Sequence, residues 1–338
     1  MIAQERLLSP RRERAGAAQA NLSRTEPIVP FSHAATSMGG RLVIHLDADS
    51  ERRREGGRAT AEAVARIESW AARLTRHSST SDLSILNADP ADEVSVRPTL
   101  AAALRAGRIA TESSEGLTDI TLLDARLAAE GANGGQPGAV PEAGASRAFD
   151  WSIAPGRHGS GIVRRPPGLR FDLDGVGKGW IADRALRFLA AWPSVVIDAD
   201  GDLAIRCAAG RTWEVAVDDP RAPDTSLAVL RLTATHGVPG RWGVATSGIS
   251  IHRWTVDGQA RHHLIDPRSG LPAVTDVIQA TVVASSALRA ETLAKAAVIA
   301  GSWAGLALLE RARVQGAVIL TDRGDVLAPP QTLALLGN

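Results

Sequence analysis

The sequence predicts an α+β fold with antiparallel-rich sheets covered by helices, and three observations carry that expectation. Short runs alternate in hydrophobicity between clusters of turn residues. Longer stretches repeat apolar residues at helical spacing. The strongest short hairpin signal, Asp257-Gly258, joins the run Ile249 to Val256 to a second run entering His262-His263-Leu264-Ile265, and a hairpin is an antiparallel unit. With 338 residues, 44% of them hydrophobic, the chain has the apolar material for a sizeable core. Residues 36–325 are expected to build it as one domain, between a disordered N-terminal arm (1–30) and a C-terminal tail (326–338).

The elements follow in order. Arg41 to Leu46 alternates like a half-buried strand after Ser37-Met38-Gly39-Gly40. Ala63, Ile67, Trp70, Ala71 and Leu74 mark one face of a helix over 59–74. His77 to Asn87 reads as a loop entering a short helix, capped by Ser81 or Thr80. A second amphipathic helix spans Leu100 to Glu112, and Gly116 to Thr121 is its exit into an extended piece. Ala132 to Ser146, rich in Gly, Ala and Pro, is the most linker-like stretch. Trp151 to Ile153, Gly161 to Val163 and Leu169 to Leu173 read as strands. A helix then covers Trp180 to Trp192, and Val195 to Ala199 and Trp213 to Val217 are strands. The strand Gln279 to Ala284, helices over 285–300 and 303–311, and the strand Ala317 to Thr321 complete the pattern.

Composition narrows the function classes. A net charge of +1 with scattered arginines gives no electrostatic footprint for nucleic acid. No run approaches the roughly 20 apolar residues of a membrane span. The segment Met1 to Arg24 lacks the apolar core of a signal peptide, so a cytoplasmic location is expected. The single Cys207 excludes an intramolecular disulfide and a thiolate metal cluster, and its apolar setting predicts an inert thiol.

Chemistry concentrates in Val244 to Pro272. Pro267 has no N–H and restricts Asp266 to extended backbone, while Ser269-Gly270 supplies a reversal, so two imidazoles and a carboxylate sit on a rigid corner. His262 and His263 point to opposite faces if extended, so one lines a given pocket and the other is left to the surface. Asp266 caps its own turn in the simplest reading, with Arg268 bracing it. Asp174-Gly175-Val176-Gly177-Lys178-Gly179, between a strand-like run and a helix, has the form of an anion cradle, because free N–H groups and the helix dipole point at a ligand. A plain strand-to-helix turn with a solvated Lys178 is the alternative. Asp198, Asp200 and Asp202 are read either as a cation site or as a solvated acidic turn. Thr246-Ser247-Gly248 lacks the strand-elbow context of a nucleophilic serine.

Several of these segments resemble the FAD:protein FMN transferase (ApbE-type) family over roughly Ser37 to Leu320. Met38-Gly39 is similar to its opening Met-Gly, and His77 to Asn87 to its Tyr-x-Pro-x-Ser-Glu-Leu-Ser-x-x-Asn. Thr118 to Thr121 resembles Phe-Asp-x-Thr, Asp172 to Asp183 its Asp-Leu-Gly-Gly-Ile-Ala-Lys-Gly segment, and Ala245 to Gly248 its Ala-Thr-Ser-Gly. His263 to Pro272 is similar to its His-Ile-x-Asp-Pro-x-Thr-Gly-x-Pro. The resemblance implies an ApbE-like, T-fold-type α+β domain. It also implies transfer of FMN from FAD to a threonine or serine hydroxyl of an acceptor protein, with cleavage of the FAD pyrophosphate. It would place Met38, His77, Asp119, Asp172, Lys178 and Ile265 on FAD, and make His263 the general base, with His262 as competitor.

The resemblance also implies a Mg²⁺ site made by the Gly175 carbonyl and by two helix residues four apart, here Glu291 and Lys295. Lys295 replaces a hydroxyl by an ammonium, and Glu291 and Lys295 are expected to meet as an ion pair in the metal's place. The expectation is therefore either a metal site rebuilt around Glu291 and the Asp198/Asp200/Asp202 turn, or a site where Lys295 does part of the cation's work. The chain has no tyrosine, so the stacking position before the serine motif is His77. The alternatives to transfer are a non-catalytic flavin-binding protein and an FAD pyrophosphatase releasing FMN and AMP.

Overall fold

The computed structural model describes residues 30–48, 52–131, 147–222, 224–250, 253–256 and 259–336. The expected arm up to residue 29, the linker-like Ala132 to Ser146 and the Asp257-Gly258 turn lie outside them. In chain order the elements are β1 (Pro30–Ser37), β2 (Gly40–Asp47), α1 (Arg53–Leu74), α2 (Asp82–Ala88), β3 (Glu93–Val96), α3 (Pro98–Ser113), α4 (Leu123–Ala129), β4 (Ser152–Pro155), β5 (Gly161–Arg164) and α5 (Gly177–Phe188). There follow β6 (Val195–Ala199), β7 (Asp202–Cys207), β8 (Thr212–Asp218), β9 (Ser226–Thr233), β10 (Gly240–Gly248), β11 (Arg253–Val256), β12 (Gln259–His262), β13 (Ile265–Asp266) and β14 (Leu271–Pro272). The last are β15 (Val277–Ala284), α6 (Ala287–Ala300), α7 (Ser302–Arg311), β16 (Gly316–Thr321) and β17 (Val326–Leu327).

The result is the mixed, antiparallel-rich architecture that the sequence predicts. One sheet of eight strands runs in the order β1-β2-β6-β7-β10-β15-β16-β17, and its pairs are antiparallel. Successive side chains of a strand point to opposite faces, which explains why two cores flank it. Leu42, Ile44, Ile197 and Ala204 face the helices, together with Ile67, Leu104 and Ile181. Leu203, Ile205, Val244 and Val283 face the other way, onto Trp213, Leu230 and Leu232 of the β8–β9 hairpin. Ala245, Val282 and Ile319 pack on α6 through Leu293 and Ala297. Among the described residues no helix is long and apolar enough to cross a membrane.

Local signals explain the boundaries. Ser81 is the N-cap of α2, its hydroxyl accepting the Ser84 N–H at 2.9 Å. Ser286 does the same for α6 through Arg289 N–H, and buried Asp183 accepts the next free donors, Ala287 and Leu288 N–H. α5 starts against α6 because residue 179 is glycine: a Cβ there would lie 2.7 Å from the Ala287 carbonyl.

Four expectations are corrected. Leu169–Leu173 belongs to no ladder; it is held at Phe171 by the Asn87 side chain, which both accepts from and donates to that residue's backbone at 2.8 Å. Of the strand expected over Ile249 to Val256, Ile249 and Ser250 form bends past the end of β10 and Arg253–Val256 form β11. β1 enters the sheet from Pro30, ahead of the expected start at residue 36. The expected tail continues the fold, since β17 pairs with β16 and Thr332 is fully buried, bonded to Ala317. Cys207 lies buried in β7, and burial, with Asp47 beside it, pushes the thiol up to about 11. A thiol reagent at pH 8 should therefore titrate no cysteine in the folded protein and one after denaturation; a fast reaction before unfolding contradicts this.

Candidate active site

A cleft opens where three segments meet: the loop Leu117 to Leu122, the turn Asp172 to Gly175, and the elbow His263 to Ile265. Each is fixed by its own hydrogen bonds. Asp119 closes an Asx turn, its Oδ1 accepting from both the N–H and the hydroxyl of Thr121 at 2.7 Å. Thr118 donates to the Thr292 carbonyl at 2.9 Å, tying that loop to α6. Asp172 N–H donates to Ile120 O at 2.8 Å, which joins the loop to the turn.

The elbow has the rigidity expected of it. Asp266 accepts from Arg268 N–H at 2.9 Å and is gripped by the Arg268 guanidinium at 2.8 Å. Gly270 N–H returns to Asp266 O at 2.8 Å. The two histidines part as strand geometry requires. His263 lines the cleft with buried Ile265. His262 is half-buried rather than superficial, its Nδ1 accepting from Leu264 N–H at 3.3 Å and its Nε2 donating to Ala273 O at 3.0 Å. Those two bonds commit His262 to holding the elbow.

A relay of charged groups, which sequence reading missed, crosses from the glycine turn to the elbow. Asp174 meets Arg76 at 3.3 Å, Arg76 meets Glu130 at 2.7 Å, Glu130 meets Arg126 at 2.6 Å, and Arg126 Nη1 donates to His263 O at 2.9 Å. Arg126 and Glu130 are four apart, one helical turn, which was the only signal available. Arg126→Met removes the donor that positions His263, and displacement of about 1 Å is enough to cost roughly 10²-fold in rate. The expected outcome is a 10- to 100-fold fall in kcat for the reaction at this cleft with the fold intact by circular dichroism; an unchanged kcat contradicts the positioning role.

Other expected site residues lie elsewhere. Met38 turns the β1–β2 hairpin at φ 54 and packs partly on the helix-side core. His77 is exposed, one residue from Arg76, its N–H donating to Thr75 Oγ1 at 3.1 Å. Lys178 is turned away from the cleft and meets buried Asp202 at 3.1 Å. Burial alone would lower its pKa, but Asp202, Glu291 and Asp200 together outweigh that and hold the ammonium above its ordinary value. The anion cradle at the start of α5 is filled from within, because buried Glu291 accepts the Gly179 N–H at 2.9 Å. Thr246 bonds the Thr281 hydroxyl across the ladder at 2.8 Å, a structural role.

Lys295 lies in the cleft beside Gly175, where the sequence resemblance implies a metal. Its side chain lines the cleft and lies so close to Gly175 that a Cβ there would overlap Nζ. Burial lowers its pKa, with Glu291, Asp172 and Asp174 partly offsetting. Burial, then Asp202, pushes Glu291 up to about 8, and burial with Asp174 raises Asp172. The expected Glu291–Lys295 ion pair is not formed among the described residues; the carboxyl turns to α5 while the ammonium turns to Gly175. Asp198, Asp200 and Asp202 diverge onto Gly201 N–H, Arg41 N–H and Lys178. Among the described residues no three His, Cys, Asp or Glu side chains are placed to hold a metal. A divalent ion about 4 Å from the ammonium would meet roughly 8 kcal/mol of repulsion at an effective dielectric near 20. The residues present do not fit Mg²⁺.

Comparison with known proteins places this cleft in context. Among solved structures the chain resembles the ApbE protein of Thermotoga maritima, with TM-score 0.75 and 20% identity over 91% of this chain and 100% of that one. It also resembles the flavinyl transferase ApbE of Pseudomonas stutzeri, with TM-score 0.70 and 23% identity over 91% and 97%. In sequence it is 26% identical over 171 residues to the FAD:protein FMN transferase of Vibrio cholerae, 49% of each chain. With that of Salmonella typhimurium it shares 32% over 129 residues, 37% of this chain and 35% of the other. The chain thus spans about half the length, or less, of the curated relatives it matches. The model of the ApbE family matches residues 38–320, and the chain belongs to that family.

Proposed function

We propose that the chain transfers FMN from FAD to a threonine or serine hydroxyl of an acceptor protein. The observation that carries the reading is the convergence of His263, Asp119, Asp172, Gly175 and Ile265, chosen from three separate sequence segments, on one cleft. Family membership supports it, as do the activities named for the relatives.

In this reading the acceptor oxygen attacks the flavin-side phosphorus. A new P–O bond forms as the pyrophosphate P–O bond breaks, AMP leaves with the electron pair, and His263 takes the hydroxyl proton. The apolar wall of Leu117, Ile120, Leu264 and Ile265 takes an aromatic ring, and the Lys295 ammonium offsets phosphate charge. Mg²⁺ is left out, because Lys295 stands in its place. A cytoplasmic location belongs to the same proposal and is read by fractionating cells that make the chain.

Lys295 also favours a second reading, a flavin-binding protein that has lost transfer or that uses water as acceptor. Incubation with FAD and a threonine-bearing acceptor protein separates the three. A fluorescent acceptor band on a denaturing gel supports transfer, free FMN with AMP supports hydrolysis, and intact bound FAD supports binding alone.

A further inference from the structure

Of the other cationic side chains in this region, Arg126 lines the cleft, Arg76 shares Glu130 with it, and Lys178 is turned away; each already has a carboxylate. Arg76 holds Asp174 and Glu130, Arg126 holds Glu130, and Lys178 holds Asp202. Lys295 is the cationic side chain left facing the cleft, with Glu291 turned instead to the Gly179 N–H. Its seat is made by the absence of a side chain at residue 175: the ammonium lies where a Cβ would be. The opening of that seat is the cleft itself, so the donors of Nζ face any ligand placed between Gly175 and His263.

We propose that Lys295 is the resident cation of this cleft, and that the cleft takes the pyrophosphate of a flavin dinucleotide without a divalent metal. The proposal rests on the flavin reading given above and changes what that reading requires. One ammonium supplies a single charge and up to three N–H donors, enough to hold phosphate oxygens as a point charge. It cannot bridge two oxygens as a metal does. The Glu291 carboxyl, bonded to α5, anchors the helix start instead of a metal. The family's divalent site and this chain's ammonium are thus alternative occupants of one position.

Two measurements test this, and the first needs no flavin. Titration of the wild-type protein with Mn²⁺, read by electron paramagnetic resonance, should show no stoichiometric site, whereas Lys295→Thr should gain one; a stoichiometric Mn²⁺ site in the wild type overturns the proposal. The second is FAD affinity by fluorescence quenching, in EDTA and in millimolar Mg²⁺. The wild-type Kd should agree within about twofold between the two, and Lys295→Met in EDTA should weaken it about 10- to 100-fold, the loss of one charge-assisted hydrogen bond. A wild-type Kd that Mg²⁺ tightens tenfold or more also overturns the proposal. Should FAD fail to bind under every condition while the wild type excludes Mn²⁺ and Lys295→Thr binds it, the flavin reading fails and the resident cation stands. Circular dichroism of both variants establishes that they fold.

Discussion

Replacing His263 with alanine should slow FMN transfer by roughly 10²- to 10⁴-fold, the usual worth of a positioned general base, while changing FAD affinity little. The argument is geometric. His263 lines the cleft, and its carbonyl is held by Arg126, itself tied through Glu130 and Arg76 to the glycine turn. The neighbouring imidazole cannot take over, because both nitrogens of His262 are engaged with Leu264 and Ala273. His262→Ala should therefore cost about 1 kcal/mol of stability and little rate. Single-turnover transfer at saturating FAD reads both variants. A His263→Ala rate close to wild type, or a collapse in His262→Ala instead, would assign the proton to a different group.

Gly175→Ala carries the second large effect, and Gly177→Ala is its control. A methyl at 175 would overlap the Lys295 ammonium, whereas nothing lies within 4 Å of a Cβ at 177. The ammonium would have to leave its seat, so FAD affinity should fall about 10- to 100-fold, as for loss of a charge-assisted bond. Crowding should also lower stability by about 1–3 kcal/mol. Residue 177 opens α5 in helical conformation, where alanine is favoured over glycine by up to about 1 kcal/mol. The two variants, two residues apart, should thus move in opposite directions in a melting experiment. Equal, small effects on both would mean that the Lys295 side chain is not confined by Gly175.

Local chemistry made much of this legible. Ser81 as a helix cap, the proline-locked elbow with Asp266 capping its own turn, and the divergence of the two histidines follow from short-range rules that tertiary context did not override. What escaped was set by long-range partners. Leu169–Leu173 has the composition of a strand, yet Phe171 bonds an asparagine side chain 84 residues away and Asp172 N–H bonds Ile120 O, so no ladder forms. β1 carries only Phe31 as a large apolar residue, too weak a pattern to announce an edge strand. Lys178 sits at a helix start that normally invites a phosphate, and only the register placing Asp202 beside Ala199 shows why the ammonium turns inward. The sequence flagged Lys295 as a departure from the family pattern. That it leans on Gly175, and not on Glu291, is set by the fold, which turns the Glu291 carboxyl to the start of α5.

The most direct test is the structure of the complex with FAD, formed in EDTA. The pyrophosphate should lie between Gly175 and His263, with the Lys295 ammonium within hydrogen-bond distance of a phosphate oxygen. A pyrophosphate bound anywhere else on the molecule, or one seated there only when a divalent metal is supplied, would contradict the account.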